Sequence, residues 1–299
     1  METNKEQLHL NPDRVYNDAT GWLKDGDTYS PIPAFAETLE PGIYFIQVLK
    51  GALAFTKTVI PSDRVFEIKG SVQAKVLSSL ESFWSKEDEY KKSGVIYKRG
   101  LLLHGRPGCG KTVLLGQICD HLIKKNGIAL VATEPNLTIE AVSQLRRIEP
   151  NRKLIVLYED LEGYLAGFGE ENLLSLFDGQ RQVNNIVHVC TTNYLEDIPD
   201  RFKKRPSRID EVIEIEPPTD HARQLFLSKL HESYGKPLSV REVQERDWVG
   251  DTADMPFAHI KELFISVVVL GYDYQTTLAR LQSCNTEDDA DNSGAFGKD

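Results

Sequence analysis

The middle of the chain alternates between short apolar runs and segments whose apolar residues recur at helical spacing. Runs such as GLLLHG, IALVAT, KLIVLYED and IVHVCTTN are typical of strands buried on both faces. Between them, TVLLGQICDHLIKK and TIEAVSQLRRI place apolar residues three and four positions apart, as amphipathic helices do. Because parallel strands need crossover connections, this alternation predicts an α/β fold whose parallel sheet has helices on both faces.

The pattern changes on either side of this region. The stretch GIYFIQVLKGALAFTKTVIPSDRVFEI indicates three strands separated by turns, which predicts a small β-rich module. After Pro217 and Pro218 the apolar spacing is helical only, which predicts a separate all-helical domain. We therefore expect a flexible N-terminus over 1–30, the β-rich module over 31–65, the α/β core over 66–217, the helical domain over 218–284 and a disordered acidic tail over 285–299.

Composition narrows the class of protein. The 299 residues carry a formal net charge of -10, which disfavours a dedicated nucleic-acid binder because such proteins usually present a basic surface. No apolar run approaches the roughly 20 residues of a membrane span. The 4 cysteines show no CxxC spacing. We therefore expect a soluble cytoplasmic protein with free thiols and no membrane partner.

A glycine-rich stretch follows the first predicted strand of the core. GRPGCGKT fits the pattern GxxxxGK[ST] and stands between a strand and a helix. Glycines let backbone N–H groups converge on a phosphate, Lys111 supplies a matching charge, and the Thr112 hydroxyl can bind Mg²⁺. The alternative is a surface turn, but the flanking elements favour a phosphate loop. The loop consists of Gly105, Arg106, Pro107, Gly108, Cys109, Gly110, Lys111 and Thr112.

Polar residues end two further predicted strands. Glu159 and Asp160 follow LIVLY, and Asn193 follows IVHVCTT. Ligands of open α/β sheets lie outside the carboxyl ends of the strands, so the two acids can hold a metal and activate water there. The amide of Asn193 can align that water. The alternatives are two solvated acids and an ordinary turn.

A basic segment, RFKKRPSRID, follows the strand that ends at Asn193. It has three interpretations. It can be a solvated turn or a nucleic-acid patch. It can also present Arg205 and Arg208 to the γ-phosphate bound by a neighbouring subunit, where they would stabilise transition-state charge.

In combination and order, these motifs resemble those of an AAA+ ATPase of the AAA branch. The resemblance runs from FEIKG through GRPGCGKT, LIVLYED, FDG, TTN and RPSRID to FAHIKEL, roughly residues 65–283. It implies a five-stranded parallel sheet, a helical lid over 218–284, ATP and Mg²⁺ bound between them, and a homo-oligomeric ring that is usually a hexamer.

The resemblance also implies a role for each matching residue. It makes Glu159 a metal ligand together with Thr112, and Asp160 the residue that activates water. The full correspondence is Walker A at Gly105–Thr112, Walker B at Glu159 and Asp160, sensor 1 at Asn193, arginine fingers at Arg205 and Arg208, and the adenine-lining segment at Ile68 and Gly70.

Several positions depart from the family pattern. Arg106 and Cys109 replace the usual proline and threonine, and Walker B has Glu-Asp where Asp-Glu is usual. No aromatic pore loop follows the second strand, where the chain has EPNLT. The dipeptide Ala-His at 258–259 stands where a second basic residue of the lid would be.

The resulting expectation is an ATPase that remodels a protein or a protein assembly. The alternative is a nucleic-acid-associated motor or loader, and a nucleotide switch with little turnover is a third class. The missing pore loop suggests another contact with substrate. Tyr164 and Phe168 lie among glycines after Walker B, which is typical of a mobile loop. One hypothesis is that they line the central channel, and the other is that they fold back onto the core.

Overall fold

The computed structural model describes residues 21–25, 28–32, 36–49, 51–60, 72–178, 184–204, 208–234 and 247–293. The chain divides into two compact units, Met1–Leu39 and Glu40–Asp299. In the first unit, β1 (Gly21–Asp25) and β2 (Thr28–Ile32) pair as an antiparallel hairpin. The prediction of a flexible segment over 1–30 is therefore wrong for these strands.

The second unit is built on a seven-stranded sheet with the spatial order β4-β3-β6-β7-β8-β5-β9. Its strands are parallel except for β4, which runs antiparallel to β3. The predicted α/β class is confirmed. The strands are β3 (Gly42–Leu49), β4 (Ala52–Thr58), β5 (Lys98–His104), β6 (Ile128–Val131), β7 (Leu154–Tyr158), β8 (Ile186–Thr192) and β9 (Glu211–Glu214).

The sheet corrects the expected strand count and one domain boundary. We expected five strands and a separate β-rich module over 31–65. Instead, β3 pairs in parallel with β6, in the register Gly42 to Ile128, and β4 folds back on β3 at the sheet edge. The hairpin forms because Gly51 adopts a φ of +79°, a conformation that suits glycine in a tight turn. The third strand expected in this module falls at 61–71, outside the described residues.

Helices connect these strands and continue after them. They are α1 (Val72–Trp84), α2 (Glu87–Ser93), α3 (Lys111–Lys124), α4 (Pro135–Ile148), α5 (Leu161–Phe168), α6 (Glu170–Asp178), α7 (Asp200–Lys203), α8 (Asp220–Tyr234), α9 (Trp248–Asp251), α10 (Phe257–Phe264) and α11 (Tyr274–Ser293). A π-helical turn, Ile265–Val269, follows α10. Within the part of the chain that the structure describes, none of the helices has both the length and the apolar character needed to cross a bilayer.

The helical region after β9 has its own apolar core. Its buried side chains belong to α8, the loop before α10, and α9 to α11: Leu227, Trp248, Met255, Ile260, Leu263, Tyr274, Leu278 and Leu281. The described residues here are helical, as the sequence predicts for the lid. Helix α11 extends to Ser293, so the prediction of disorder from residue 285 is wrong as far as that residue.

The segment after β7 is a helix and not the expected loop. The stretch LEGYLAGF forms α5 although it contains two glycines, each of which costs a helix about 1 kcal/mol relative to alanine. Burial of Leu161 and Tyr164 offsets this cost. The Tyr164 ring packs edge-on against Tyr158 at 5.8 Å, so Tyr164 folds back onto the core. Phe168 contacts Tyr164 but stays exposed.

Candidate functional site

The glycine-rich loop connects β5 to α3 as predicted, and its backbone requires glycine. Gly105 and Gly108 have φ values of +148° and +77°. A Cβ atom on Gly105 would overlap the carbonyl oxygen of Ile215, and one on Gly108 would lie 2.7 Å from the Cβ of Ala258. Conformation and close packing therefore both exclude larger residues here.

Lys111 is the first residue of α3, and its side chain points back toward the glycine-rich loop. Its Nζ donates to the carbonyl oxygens of Gly105, at 2.6 Å, and Arg106, at 3.1 Å. The side chain is buried, and this burial lowers the pKa of Lys111. Cys109 is fully buried in the apolar core, which raises the pKa of its thiol and separates the sulfur from any ligand in the loop.

The two acids lie at the tip of β7. Asp160 adopts a left-handed conformation, with a φ of +51°, and its backbone N–H donates to Thr191 Oγ1 at 3.2 Å. This bond ties the tip of β7 to neighbouring β8. Burial, and secondarily the charge of Asp160, raise the pKa of Glu159. The site thus holds two carboxylates whose negative charges repel each other, an arrangement that favours a bound cation.

Asn193 follows β8 directly. Its backbone N–H donates to Glu162 Oε1 at 3.0 Å, which fixes the strand end against α5. Because β8 lies between β7 and β5 in the sheet, Asn193, the acids and the phosphate loop meet at one edge.

A cavity of about 400 Å³ lies at this edge, and residues of the helical region form part of its wall. The backbone N–H of Ala258, in α10, donates to the carbonyl oxygen of Gly108 at 3.3 Å. We call one group of lining residues the phosphate end: Gly108, Gly110, Lys111, Thr112, Glu159, Asp160, Thr191 and Asn193. We call a second group the aromatic end: Gln73, Val113, Gln117, Phe226 and Phe257.

The aromatic end was not predicted from the sequence, and neither was Lys261, which also lines the cavity. The rings of Phe226 and Phe257 meet edge to face, with centroids 4.9 Å apart. The available signal was the spacing of Phe257 and Lys261, four residues apart on one helical face. That spacing is common on helices, so it does not identify a site.

Arg208 is not among the residues that line the cavity. The residue is only 6% exposed, and its guanidinium donates to the carbonyl oxygen of Arg201 at 2.8 Å. The backbone beyond it crosses Gly100 of β5, where an added Cβ would overlap the carbonyl oxygen of Arg208. Gly100 and Asp210 are joined by two hydrogen bonds of 2.8 Å. Arg205, Ile68 and Gly70 lie outside the described residues.

The donor set of the phosphate end suits Mg²⁺. Thr112, Glu159 and Asp160 line the cavity and offer oxygen atoms only, which is the ligand type that Mg²⁺ prefers. Among the described residues there is no cluster of three or more His, Cys, Asp or Glu side chains able to hold a metal. Mg²⁺ usually binds through one or two carboxylates together with substrate phosphates, so the two acids are sufficient.

Comparison with known proteins identifies relatives for much of the chain. Residues 101–217 match the family model described as ATPase family associated with various cellular activities (AAA). The ATPase family gene 2 protein of Saccharomyces cerevisiae is 28% identical over 247 residues, which cover 75% of this chain and 30% of that protein. A proteasome-activating nucleotidase of Methanosphaerula palustris is 26% identical over 218 residues, 65% of this chain and 52% of that protein.

A vesicle-fusing ATPase of Dictyostelium discoideum is 28% identical over 169 residues, which cover 47% of this chain and 22% of that protein. The chain thus spans about half or less of the length of these curated relatives.

Proposed function

We propose, from the match of residues 101–217 to the AAA ATPase family model, that this chain hydrolyses ATP in order to remodel a protein or a protein assembly. The observation that carries the proposal is the cavity itself. It brings the phosphate loop, two acids and an amide to one place under α10. Phosphoryl transfer depends mainly on positioning and electrostatic stabilisation, and these groups supply both.

The loop and Lys111 bind the triphosphate. The ammonium group of Lys111 donates to two carbonyl oxygens, and a phosphate is a stronger acceptor that would replace them. Thr112 and Glu159 would hold Mg²⁺, which when bound neutralises the charge of the β- and γ-phosphates.

Asp160 and Asn193 act on the attacking water. The carboxylate of Asp160 accepts the proton that the water loses, and the amide of Asn193 orients the water toward the γ-phosphate. The hydrogen bonds of their backbone N–H groups, to Thr191 and Glu162, fix the two strand tips that carry these side chains.

The proposed assembly is a homo-oligomeric ring, with six subunits as the expected number. Arg205 and Arg208 would then contact the γ-phosphate held by the neighbouring subunit. Arg208 is buried in the single chain, so in this role its side chain must leave the Arg201 carbonyl when the ring forms. Arg208→Ala should therefore keep ATP binding and lose turnover.

A protein substrate is favoured over a nucleic acid by two observations. Relatives bear the names proteasome-activating nucleotidase and vesicle-fusing ATPase, and this chain carries a net charge of -10. Of the two aromatics considered for substrate contact, Tyr164 is packed against Tyr158, whereas Phe168 remains exposed. Phe168 is therefore the side chain that we propose contacts the substrate.

The test is a pull-down with Asp160→Asn, which should bind ATP and stay in the substrate-bound state because an amide cannot accept the proton. We expect protein to be enriched with ATP and released with ADP. The control is Lys111→Ala, which should retain nothing in an ATP-dependent way. ATP-dependent enrichment of nucleic acid would overturn the proposed substrate class, and absence of ATP binding would overturn the proposal entirely.

A further inference from the structure

One side chain that lines the cavity carries a polar atom for which the described residues supply no hydrogen-bond partner. Gln117 lies in α3, and its Oε1 atom is shielded from solvent without a donor among the described residues. An unsatisfied buried acceptor is unfavourable by roughly 1–3 kcal/mol, so such atoms usually have a partner. A rotation of the Gln117 side chain toward the cavity would let a bound ligand supply the missing donor.

The position of Gln117 along α3 fits the far end of a nucleotide. Lys111 begins this helix and Gln117 follows six residues later, about 9 Å along the axis at 1.5 Å per residue. Val113 is four residues before Gln117 and also lines the cavity, so the same face of α3 continues from the phosphate loop to the amide. A nucleotide anchored at Lys111 would therefore extend its base toward Gln117.

The surroundings of Gln117 are suited to a flat apolar group. Phe226 and Phe257 form the edge-to-face pair of the aromatic end. The Phe257 ring also approaches Gly110, since a Cβ atom there would be 3.8 Å from Phe257 Cδ2. The two rings therefore link the end of the phosphate loop to the aromatic end, as walls for a heterocycle should.

We propose that Gln117 determines base specificity, with Oε1 accepting a hydrogen bond from the exocyclic 6-amino group of adenine. This inference rests on the proposed ATPase function and adds the residue that selects the base. Guanine carries a carbonyl oxygen at position 6, so it would leave Oε1 unpaired in the amide orientation that the structure shows. An unpaired buried polar group disfavours the wrong ligand.

The test compares two diphosphates that differ only in the 6-amino group, ADP and purine riboside diphosphate. Diphosphates avoid hydrolysis during the measurement. With the full-length chain and calorimetry, we expect ADP to bind at least about fivefold more tightly. Gln117→Met keeps the length and helix propensity of the side chain but removes its polar atoms, so this variant should bind both nucleotides with equal affinity.

The matched control is Gln144→Met, since Gln144 lies in α4 and donates to Glu140 at 2.7 Å, outside the cavity. It should keep the wild-type preference. Equal binding of the two diphosphates by the wild type would overturn the role of Gln117. A preference that survives in Gln117→Met would do the same. Failure of the wild type to bind either diphosphate would instead count against the proposed function.

A further ligand distinguishes recognition of the base by Gln117 from recognition of the ribose. If Oε1 accepted a hydrogen bond from a ribose hydroxyl, the wild type would bind 2′-deoxy-ADP more weakly than ADP. Gln117→Met would then bind 2′-deoxy-ADP and ADP with equal affinity. That result, together with an unchanged preference for the 6-amino group in the variant, would reject base recognition by this residue.

Discussion

The two ends of the cavity are built in different ways. The phosphate end consists of strand tips and a loop whose backbone conformation positions charged groups, with Gly108 and Gly110 at positive φ. The aromatic end consists of side chains from four helices that are distant in the sequence, α1, α3, α8 and α10. In the proposed function, the first end acts on the phosphates, whereas the second end selects the molecule that carries them.

The largest expected effect separates binding from chemistry at the phosphate end. Asp160→Asn should reduce ATP turnover by about 10²–10⁴-fold while ATP still binds, because only the proton acceptor is removed. Turnover and equilibrium binding by the same preparation provide the measurement. If Glu159→Gln lost turnover while Asp160→Asn kept it, the two acids would have exchanged roles.

Lys111→Ala tests the contribution of the positive charge of Lys111 at the phosphate end. We expect ATP affinity to fall about 100-fold, because charge-assisted hydrogen bonds to phosphate are lost. Adenosine, which has no phosphate, should bind the variant and the wild type equally. A comparable loss for adenosine would mean that the substitution disturbs the whole cavity.

A third prediction concerns the strand that supports the phosphate end. Burial foremost, together with the charge of Lys98, lowers the pKa of His188 in β8 to about 3. The unfolded chain binds a proton near pH 6.5, so stability is complete above that pH and decreases as the pH falls toward 3. Between pH 6.5 and 5 the free energy of unfolding should fall by about 2 kcal/mol from this group.

Denaturant unfolding at several pH values measures this decrease. His188→Gln keeps a partner for the Tyr158 hydroxyl, which lies 3.1 Å from His188 Nδ1, but cannot titrate. Its stability should therefore depend less on pH in this window. The exposed His221 serves as the control, and His221→Gln should follow the wild type. An unchanged slope in His188→Gln would contradict the prediction.

The smallest expected effect belongs to the aromatic end. Phe226→Leu should weaken ATP binding about two- to tenfold, because the edge-to-face contact with Phe257 and with the base is lost. Turnover at saturating ATP should not change, since Phe226 has no group that can bind the metal or accept a proton from water. Tyr234→Leu, an exposed position in the same helix, is the control. A loss of turnover at saturation would remove the distinction between the two ends.

The phosphate end could be predicted because short sequence motifs identify the residues that form it. Each motif there is a contiguous stretch, and parallel strands place their carboxyl ends at one edge. Lys111, Glu159, Asp160 and Asn193 accordingly line one cavity. A lone glutamine in an amphipathic helix, such as Gln117, looks like any solvated residue. The role proposed for Gln117 depends on Phe226 and Phe257, which belong to a distant part of the sequence.

The wrong predictions about the fold also concern contacts between residues that are distant in the sequence. The hairpin of β3 and β4 was recognisable, but its docking beside β6 depends on long-range pairing that local patterns do not contain. The segment of α5 looks like a loop because of its glycines. The contact of Tyr164 with Tyr158 overrides that local preference, as tertiary packing often does.

Gly100 has a consequence for how this protein can change by mutation. Strand β5 carries the phosphate loop at its end, and near its start Gly100 lies directly under the backbone of Arg208 and is hydrogen-bonded to Asp210. Any side chain there would displace the backbone of Arg208 and strain the strand at the same time. In the proposed ring, one such substitution would impair both a chain's own active site and the arginine that it contributes to the neighbouring subunit. Gly100 should therefore be among the positions least tolerant of replacement, although it touches no nucleotide.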